Sequence, residues 1–495
     1  MVKNRLLRCS LRTPCLSILF HRVKWHNNRY IAIHATPLSK SSASASPLPP
    51  TSLALILIRN NVPEVSSGLT QDDALFLTPY IENGQIEKGQ NLAKVPPMLK
   101  NVESFAGYLT VNKSTDSNLF FWLFKSQKGD WKKQPLVLWL NGGPGSSSMF
   151  GLFTELGPFF LTKNQKLKRR KYSWHRKYNL VFIDNPVGAG FSFTKKDSGY
   201  ARDETDVARD LYEALVQLHK LFPTFQRNKL FITGESYAGK YIPAIGHKIY
   251  QENKVSNFKT NLAGLMIGNG SADRLYMLNY SLYLYKLGLV DSRTRDDFQE
   301  RENEIRAHIR SGQYLLANDM RYKELSEFKK KSGLKNLYDF VNDEIGEDGP
   351  EIIFINSPET RKAIHVGSYP FNDGDKTFEN LEADIMQSVK PWLEELLTAE
   401  EFPILYYSGQ LDIIVAYPLS LGFYDSLEWP HASEYHKANR CQFKVGADVA
   451  GYYKTAGTFT EVLVRNTGHM VPTTQPKWAF ELLDRLITNS SSFKC

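Results

Sequence analysis

Three side chains and one loop in this chain have the types and spacing for covalent chemistry on a carbonyl: Ser236, Asp412, His469 and a glycine-rich run after Trp139. Ser236 stands in Lys229-Leu-Phe-Ile-Thr-Gly-Glu-Ser-Tyr-Ala-Gly239. Leu230 to Thr233 is apolar and β-compatible, and Tyr241 to Tyr250 suits a helix, so the stretch reads strand, tight turn, helix. Such a turn lifts a serine hydroxyl above a sheet as a nucleophile. Gly234 and Ala238 keep it small, Ala238 replacing the last glycine of the G-x-S-x-G pattern. On its own the pentapeptide also fits an ordinary βα turn capped by serine.

Asp412 follows the apolar run Ile404 to Tyr407, and His469 follows Thr460 to Val464. Taken singly, each is a turn or structural residue. Together they give the order Ser…Asp…His at strand ends, as in an α/β hydrolase. The imidazole would take the serine proton and return it to the leaving group, while the carboxylate fixes the ring's tautomer. Trp139-Leu-Asn-Gly-Gly-Pro-Gly-Ser-Ser-Ser148 lacks the Lys-Ser/Thr pair of a phosphate loop. Its glycines instead suit an oxyanion hole, shared between this loop and the N–H of Tyr237.

The elements needed to position these residues are legible. Strand-like runs at Phe105–Val111, Leu119–Phe124, Leu136–Leu140 and Leu180–Ile183 precede a helical pattern from Glu204 to Phe222. After the Ser236 turn come strands Leu262–Ile267, Ile404–Tyr407 and Thr460–Val464, and a closing helix from Trp478 to Ile487. The alternation predicts an α/β-hydrolase fold: a doubly wound, mostly parallel sheet with an antiparallel start. Charged helical stretches at Thr294–His308 and Tyr322–Lys331 predict an inserted helical cap. The expected organisation is a leader over residues 1–74, core at 75–273, cap at 274–387, and core again at 388–495.

Composition removes other classes. The formal charge of +9 comes from nine Lys or Arg among residues 1–63, which hold no acid; the remainder balances 52 basic against 52 acidic residues. Nucleic-acid binding therefore has no support. Residues 1–63 are basic and Ser/Pro-rich around Lys40 to Thr51, with apolar runs at Cys15–Phe20 and Leu53–Ile58 too short to span a membrane. Cys9 and Cys15 lie there, leaving Cys441 and Cys495 with at most one bridge and the pairing open. No Cys/His cluster has metal-ligand spacing, so neither metal nor cofactor is expected. Sequons at Asn112, Asn279 and Asn489 permit glycosylation in a secretory compartment; a fourth, Asn269, directly follows a strand and is expected in a buried or turn role.

Four motifs carry a specific likeness: Asn141-Gly-Gly-Pro-Gly-Ser-Ser-Ser, Asp184-Asn-Pro-Val-Gly-Ala-Gly-Phe-Ser192, Gly234-Glu-Ser-Tyr-Ala-Gly-Lys-Tyr241 and Gly468-His-Met-Val-Pro472. With them the chain resembles the serine carboxypeptidases, most of all the vitellogenic-like ones, over about residues 75–488. The resemblance implies Ser236, Asp412 and His469 as the triad and the N–H groups of Gly143 and Tyr237 as the oxyanion hole. It also implies Asn141, the Gly142 N–H and Glu235 as binders of the substrate's terminal carboxylate. Met470 would shape the pocket for the departing residue, though core packing serves it equally well. The implied reaction releases single C-terminal residues from peptides or proteins through an acyl-enzyme. Acidic pH should favour it, since Glu235 must keep a proton to donate to a carboxylate. An acyltransferase on the same scaffold and a non-catalytic binding or chaperone-like relative are the alternatives. The expected setting is secreted or lysosomal/vacuolar; preferred residue and oligomeric state stay open.

Overall fold

Eleven strands build one sheet in the computed structural model, which describes residues 68–343, 349–488 and 493. They are β1 Lys94–Val95, β2 Ser104–Asn112, β3 Ser117–Phe124, β4 Leu136–Leu140, β5 Asn179–Ile183 and β6 Leu230–Glu235. Then come β7 Leu262–Gly268, β8 Ile404–Gly409, β9 Cys441–Val445, β10 Asp448–Ala456 and β11 Phe459–Val464. The spatial order is β1-β2-β3-β5-β4-β6-β7-β8-β11-β10-β9. Six central strands, from β5 across to β11, pair in parallel. Antiparallel strands flank them on both edges. This is the expected α/β-hydrolase arrangement.

The central strands are apolar at nearly every position because both faces are covered. Leu136, Leu138 and Leu140 of β4 enter one core with Leu230 and Ile232 of β6. Helices α1 (Glu204–Leu221) and α2 (Ala238–Val255) pack into that core through Leu211, Leu215, Ile242 and Ile245. Val137, Trp139 and Phe231 face the other core. Leu482, Leu483 and Leu486 of the last helix, Pro476–Thr488, cover that side. Asp203 caps α1 by accepting from the Thr205 and Asp206 N–H groups. Asp206 in its first turn and Lys220 in its last oppose the helix dipole correctly.

Between β7 and β8 the chain is mainly helical. Helices α3 (Ser292–Arg310) and α4 (Tyr314–Ser332) pack on each other, and α5 (Pro350–Asn356) follows. α4 stops at Gly333, whose left-handed φ of 73° closes the helix.

Two features differ from the sequence expectation. Residues 70–74 belong to the folded body: Ser368 N–H donates to the Thr70 carbonyl at 3.0 Å, and Ala74 bridges Val366. The hairpin β9–β10 adds an antiparallel edge beyond β11, hidden in the sequence by Gly446, Gly451 and the exposed polar residues of an edge strand. Residues 1–67, Asn489 and Cys495 lie outside the described residues; Cys441 is disulfide-bonded. Among the described residues no helix is long and apolar enough to cross a membrane.

Candidate active site

All four chemistry-bearing segments leave the C-terminal ends of parallel strands, where open α/β sheets form their crevice. The register of β4 on β6 runs from Leu136 opposite Leu230 to Leu140 opposite Gly234, which sets Asn141 beside Glu235. Ser236 follows with φ 63°, a left-handed conformation strained for any residue with a Cβ. The strain is held by hydrogen bonds: Ser236 N–H donates to the Gly268 carbonyl, and its own carbonyl accepts from Gly239 and Ser271, all at 2.9 Å. Only glycine fits at 234, where a Cβ would strike the Leu140 carbonyl. Ser236 itself is half-buried and borders a cavity of about 190 Å³.

Asp412 and His469 come from the loops after β8 and β11. Two backbone bonds of 2.9 Å tie these loops together: Gln410 N–H to the Val464 carbonyl and Leu411 N–H to that of Thr467. Asp412 is wholly buried, and its Oδ2 lies 2.7 Å from His469 Nδ1. A ring nitrogen facing a carboxylate carries the hydrogen, which leaves a lone pair on Nε2. Nε2 is buried without a hydrogen-bond partner among the described residues. The His469 N–H donates to the Tyr338 carbonyl at 2.7 Å, and the two rings lie 5.1 Å apart. Asn269, the fourth sequon, is fully buried: its Nδ2 donates to Asp412 Oδ2 at 2.7 Å, and the Gly409 N–H donates to its Oδ1. It orients the carboxylate and leaves no room for a glycan, whereas Asn112 and Asn279 are partly exposed.

The loop after β4 lies against the Ser236 turn. A Cβ at Gly142 would strike the Tyr237 nitrogen, so only glycine permits this approach. Asp184, from the second motif, secures the loop: its Oδ1 accepts from Ser147 Oγ (2.6 Å) and Ser148 N–H (2.9 Å), its Oδ2 from Phe191 N–H (2.8 Å). Burial raises the Asp184 carboxyl to about 6 against these bonds. The N–H groups of Gly143 and Tyr237 donate to no acceptor among the described residues.

Beside the serine lies a carboxyl pair of which the sequence indicated one member. Asn141 Nδ2 donates to Glu235 Oε1 (3.3 Å) and Glu155 Oε1 (3.2 Å). Trp139 Nε1 and the Gly151 N–H donate to Asn141 Oδ1, which fixes the amide's orientation. Both glutamates are buried. Burial raises Glu155 to about 7, opposed by hydrogen bonds to Glu235 and Asn141. Burial, then the charge of Glu155, raises Glu235 well above the carboxylate range. Two such neighbours cannot both ionise, so the pair holds a proton. Glu155 had a sequence signal in retrospect: it is the lone acid in the apolar run Met149 to Phe160.

The cavity thus gathers Asn141, Gly142, Gly143, Glu235, Ser236, His469 and Met470 on its wall. Asp412 stands behind His469, and the Tyr237 side chain points into the core. Met149, Phe150, Phe153, Ile352, Ile355 and Phe371 supply the remaining apolar wall, with Glu351 and Asp373 also present.

Residues 96–489 match the family described as serine carboxypeptidase. The venom serine carboxypeptidase of Apis mellifera is 46% identical over 437 residues, 85% of this chain and 93% of that one. The vitellogenic carboxypeptidase of Aedes aegypti is 43% identical over 424 residues, 83% of this chain and 89% of its own. A prohormone-processing carboxypeptidase from Saccharomyces cerevisiae superposes with a TM-score of 0.69 at 25% identity, covering 80% of this chain and 96% of that one.

Proposed function

The chain belongs to the serine carboxypeptidase family and is a hydrolase releasing C-terminal residues, and from that premise we propose how its residues divide the work. Ser236 attacks the scissile carbonyl while His469 Nε2 takes its proton, and Asp412 stabilises the imidazolium. The oxyanion points at the Gly143 and Tyr237 N–H groups. His469 then protonates the leaving amine, and the acyl-enzyme is resolved by water activated on the same nitrogen. Residues 274–387 act as the cap over this crevice, and Met470 with the apolar wall receives the departing residue.

The observation that carries the exopeptidase geometry is the Asn141–Glu155–Glu235 cluster beside Ser236. A carboxyl that keeps its proton, the Gly142 N–H nearby and the Asn141 amide, which turns one N–H from Glu235 to the incoming group, form a donor set for one carboxylate. A chain continuing past the scissile bond has no such group to offer. Protonated Glu235 donates to the terminal carboxylate, so binding is best at mildly acidic pH. Residence in a secretory compartment, with glycans on Asn112 and Asn279, is part of this reading; the venom origin in the name of the Apis relative supports it.

The test is a pair of peptides differing only in a free or amidated C-terminus. kcat/KM should fall by roughly two or more orders of magnitude on amidation, the loss of a buried charge-assisted set. Equal cleavage of both would refute the carboxylate reading while leaving the nucleophile assignment standing.

A further inference from the structure

Behind the Ser236 turn lies a buried charge cluster that the chemistry above does not use. Asp384 opens a short 3-10 turn, Asp384–Met386, where the chain returns from the insertion to the core. Its Oδ2 accepts from the Tyr237 hydroxyl at 2.5 Å and from the Lys240 ammonium, which also donates to the Asp384 backbone carbonyl. Lys240 and Asp384 are only 1% and 2% exposed. Glu204, at the start of α1, completes the cluster; both its oxygens are buried without hydrogen-bond partners among the described residues. Burial, then the charge of Asp384, raises its carboxyl well above the usual carboxylate range. Lys240 and Asp384 form the ion pair at the cluster's centre.

Stability alone gives a weak reason for such a pair. Removing an ammonium and a carboxylate from water costs several kcal/mol per ion, and their attraction offsets this only in good geometry. What the pair supplies is a fixed position. Tyr237 is held at both ends, its backbone beside Gly142 and its phenol on Asp384. Lys240 anchors the first turn of α2 to the same carboxylate. Asp384 is itself secured, because both roots of the insertion are tied together there. Ser388 Oγ donates to Asp273 Oδ2 at 2.5 Å, and Val389 N–H to the Ala272 carbonyl at 3.2 Å. The phenol bond fixes the Tyr237 side chain and Cα, and with them the place of its backbone N–H beside Gly142.

We propose that Asp384 is a positioning residue that aims the Tyr237 N–H at the oxyanion, linking the base of the insertion to the catalytic turn. This rests on the reading of Tyr237 as an oxyanion donor.

The experiment uses the whole chain and Tyr237→Phe, which keeps the ring, the backbone N–H and the Lys240–Asp384 pair. Measured are kcat and KM on a peptide with a free C-terminus, and the inhibition constant of a peptide boronate, a tetrahedral mimic. Both kcat and boronate affinity should fall about tenfold, a fraction of the roughly 10²–10³ that losing a whole oxyanion donor costs. KM should stay within twofold. Asp384→Asn should move the same two quantities further in the same direction. Unchanged kcat and boronate affinity in Tyr237→Phe, with only a lower melting temperature, would overturn the proposal. Fluorophosphonate labelling of the wild type separates the two layers. Failure to label Ser236 removes the underlying reading and the proposal with it, whereas labelled Ser236 with an indifferent Tyr237→Phe removes the proposal alone.

Discussion

Replacing Glu155 by glutamine should change how KM responds to pH. In the wild type Glu155 is poised near pH 7 beside Glu235 and Asn141. Below that pH the pair is neutral and Glu235 donates to the substrate's carboxylate. As pH climbs through the raised value, a negative charge grows where another must bind. When binding requires one proton that the free enzyme has lost, KM rises tenfold per pH unit. The rise has a ceiling set by the repulsion. At a separation of about 5 Å and an effective dielectric of about 20, two unit charges repel by about 3 kcal/mol, a few hundredfold in affinity. Glu155→Gln removes this titration and also the Glu155 charge that helps raise Glu235, so the rise near pH 7 should be lost and any rise that remains should follow Glu235, which burial alone still holds above the carboxylate range. Glu235→Gln should lose affinity at acidic pH, because the amide is a weaker donor, and give a flatter KM above neutrality. The assay is KM and kcat from pH 4.5 to 8.5 on one peptide with a free C-terminus. kcat should be less affected than KM on the alkaline side. If both amide variants keep the wild-type rise, another group titrates and the carboxyl pair has no part in recognition.

Asn269→Ala should lower kcat about tenfold with KM nearly unchanged, by removing one of the bonds that orient Asp412; an unaffected kcat would show that His469 and the Val415 N–H, which donates to Asp412 Oδ1 at 3.2 Å, hold the carboxylate unaided. Gly142→Ala should abolish turnover in a folded protein, since its Cβ meets the Tyr237 amide; circular dichroism checks the fold, and retained activity would contradict the close approach. Peptides ending in Leu or Phe should be cleaved roughly ten- to a hundredfold better than those ending in Asp, from the apolar wall of Phe150, Ile352 and Ile355; a profile of C-terminally varied peptides reads this directly.

The chemistry was legible where local pattern and tertiary role coincide. Central strands buried on both faces are continuous apolar runs, so Leu136–Leu140 was read to the residue. The turn at Ser236 demands small neighbours and shows them. Contacts between distant segments were not legible. The sequence puts Asn269 in a buried or turn role, but its bond to Asp412 emerges only when β7 and β8 pair. Glu155 meets Glu235 across 80 residues of chain, and Asp384 reaches Tyr237 across 147, with no motif marking either. The hairpin β9–β10 stayed hidden because an edge strand has one wet face and few apolar residues to count.

The most direct test of the whole account is to treat the active protein with a fluorophosphonate and map the adduct by peptide mass spectrometry. The account predicts a single adduct on Ser236, formed in step with loss of peptidase activity and absent from His469→Ala. Full inactivation with the label on another residue, or full activity with Ser236 labelled, would contradict it.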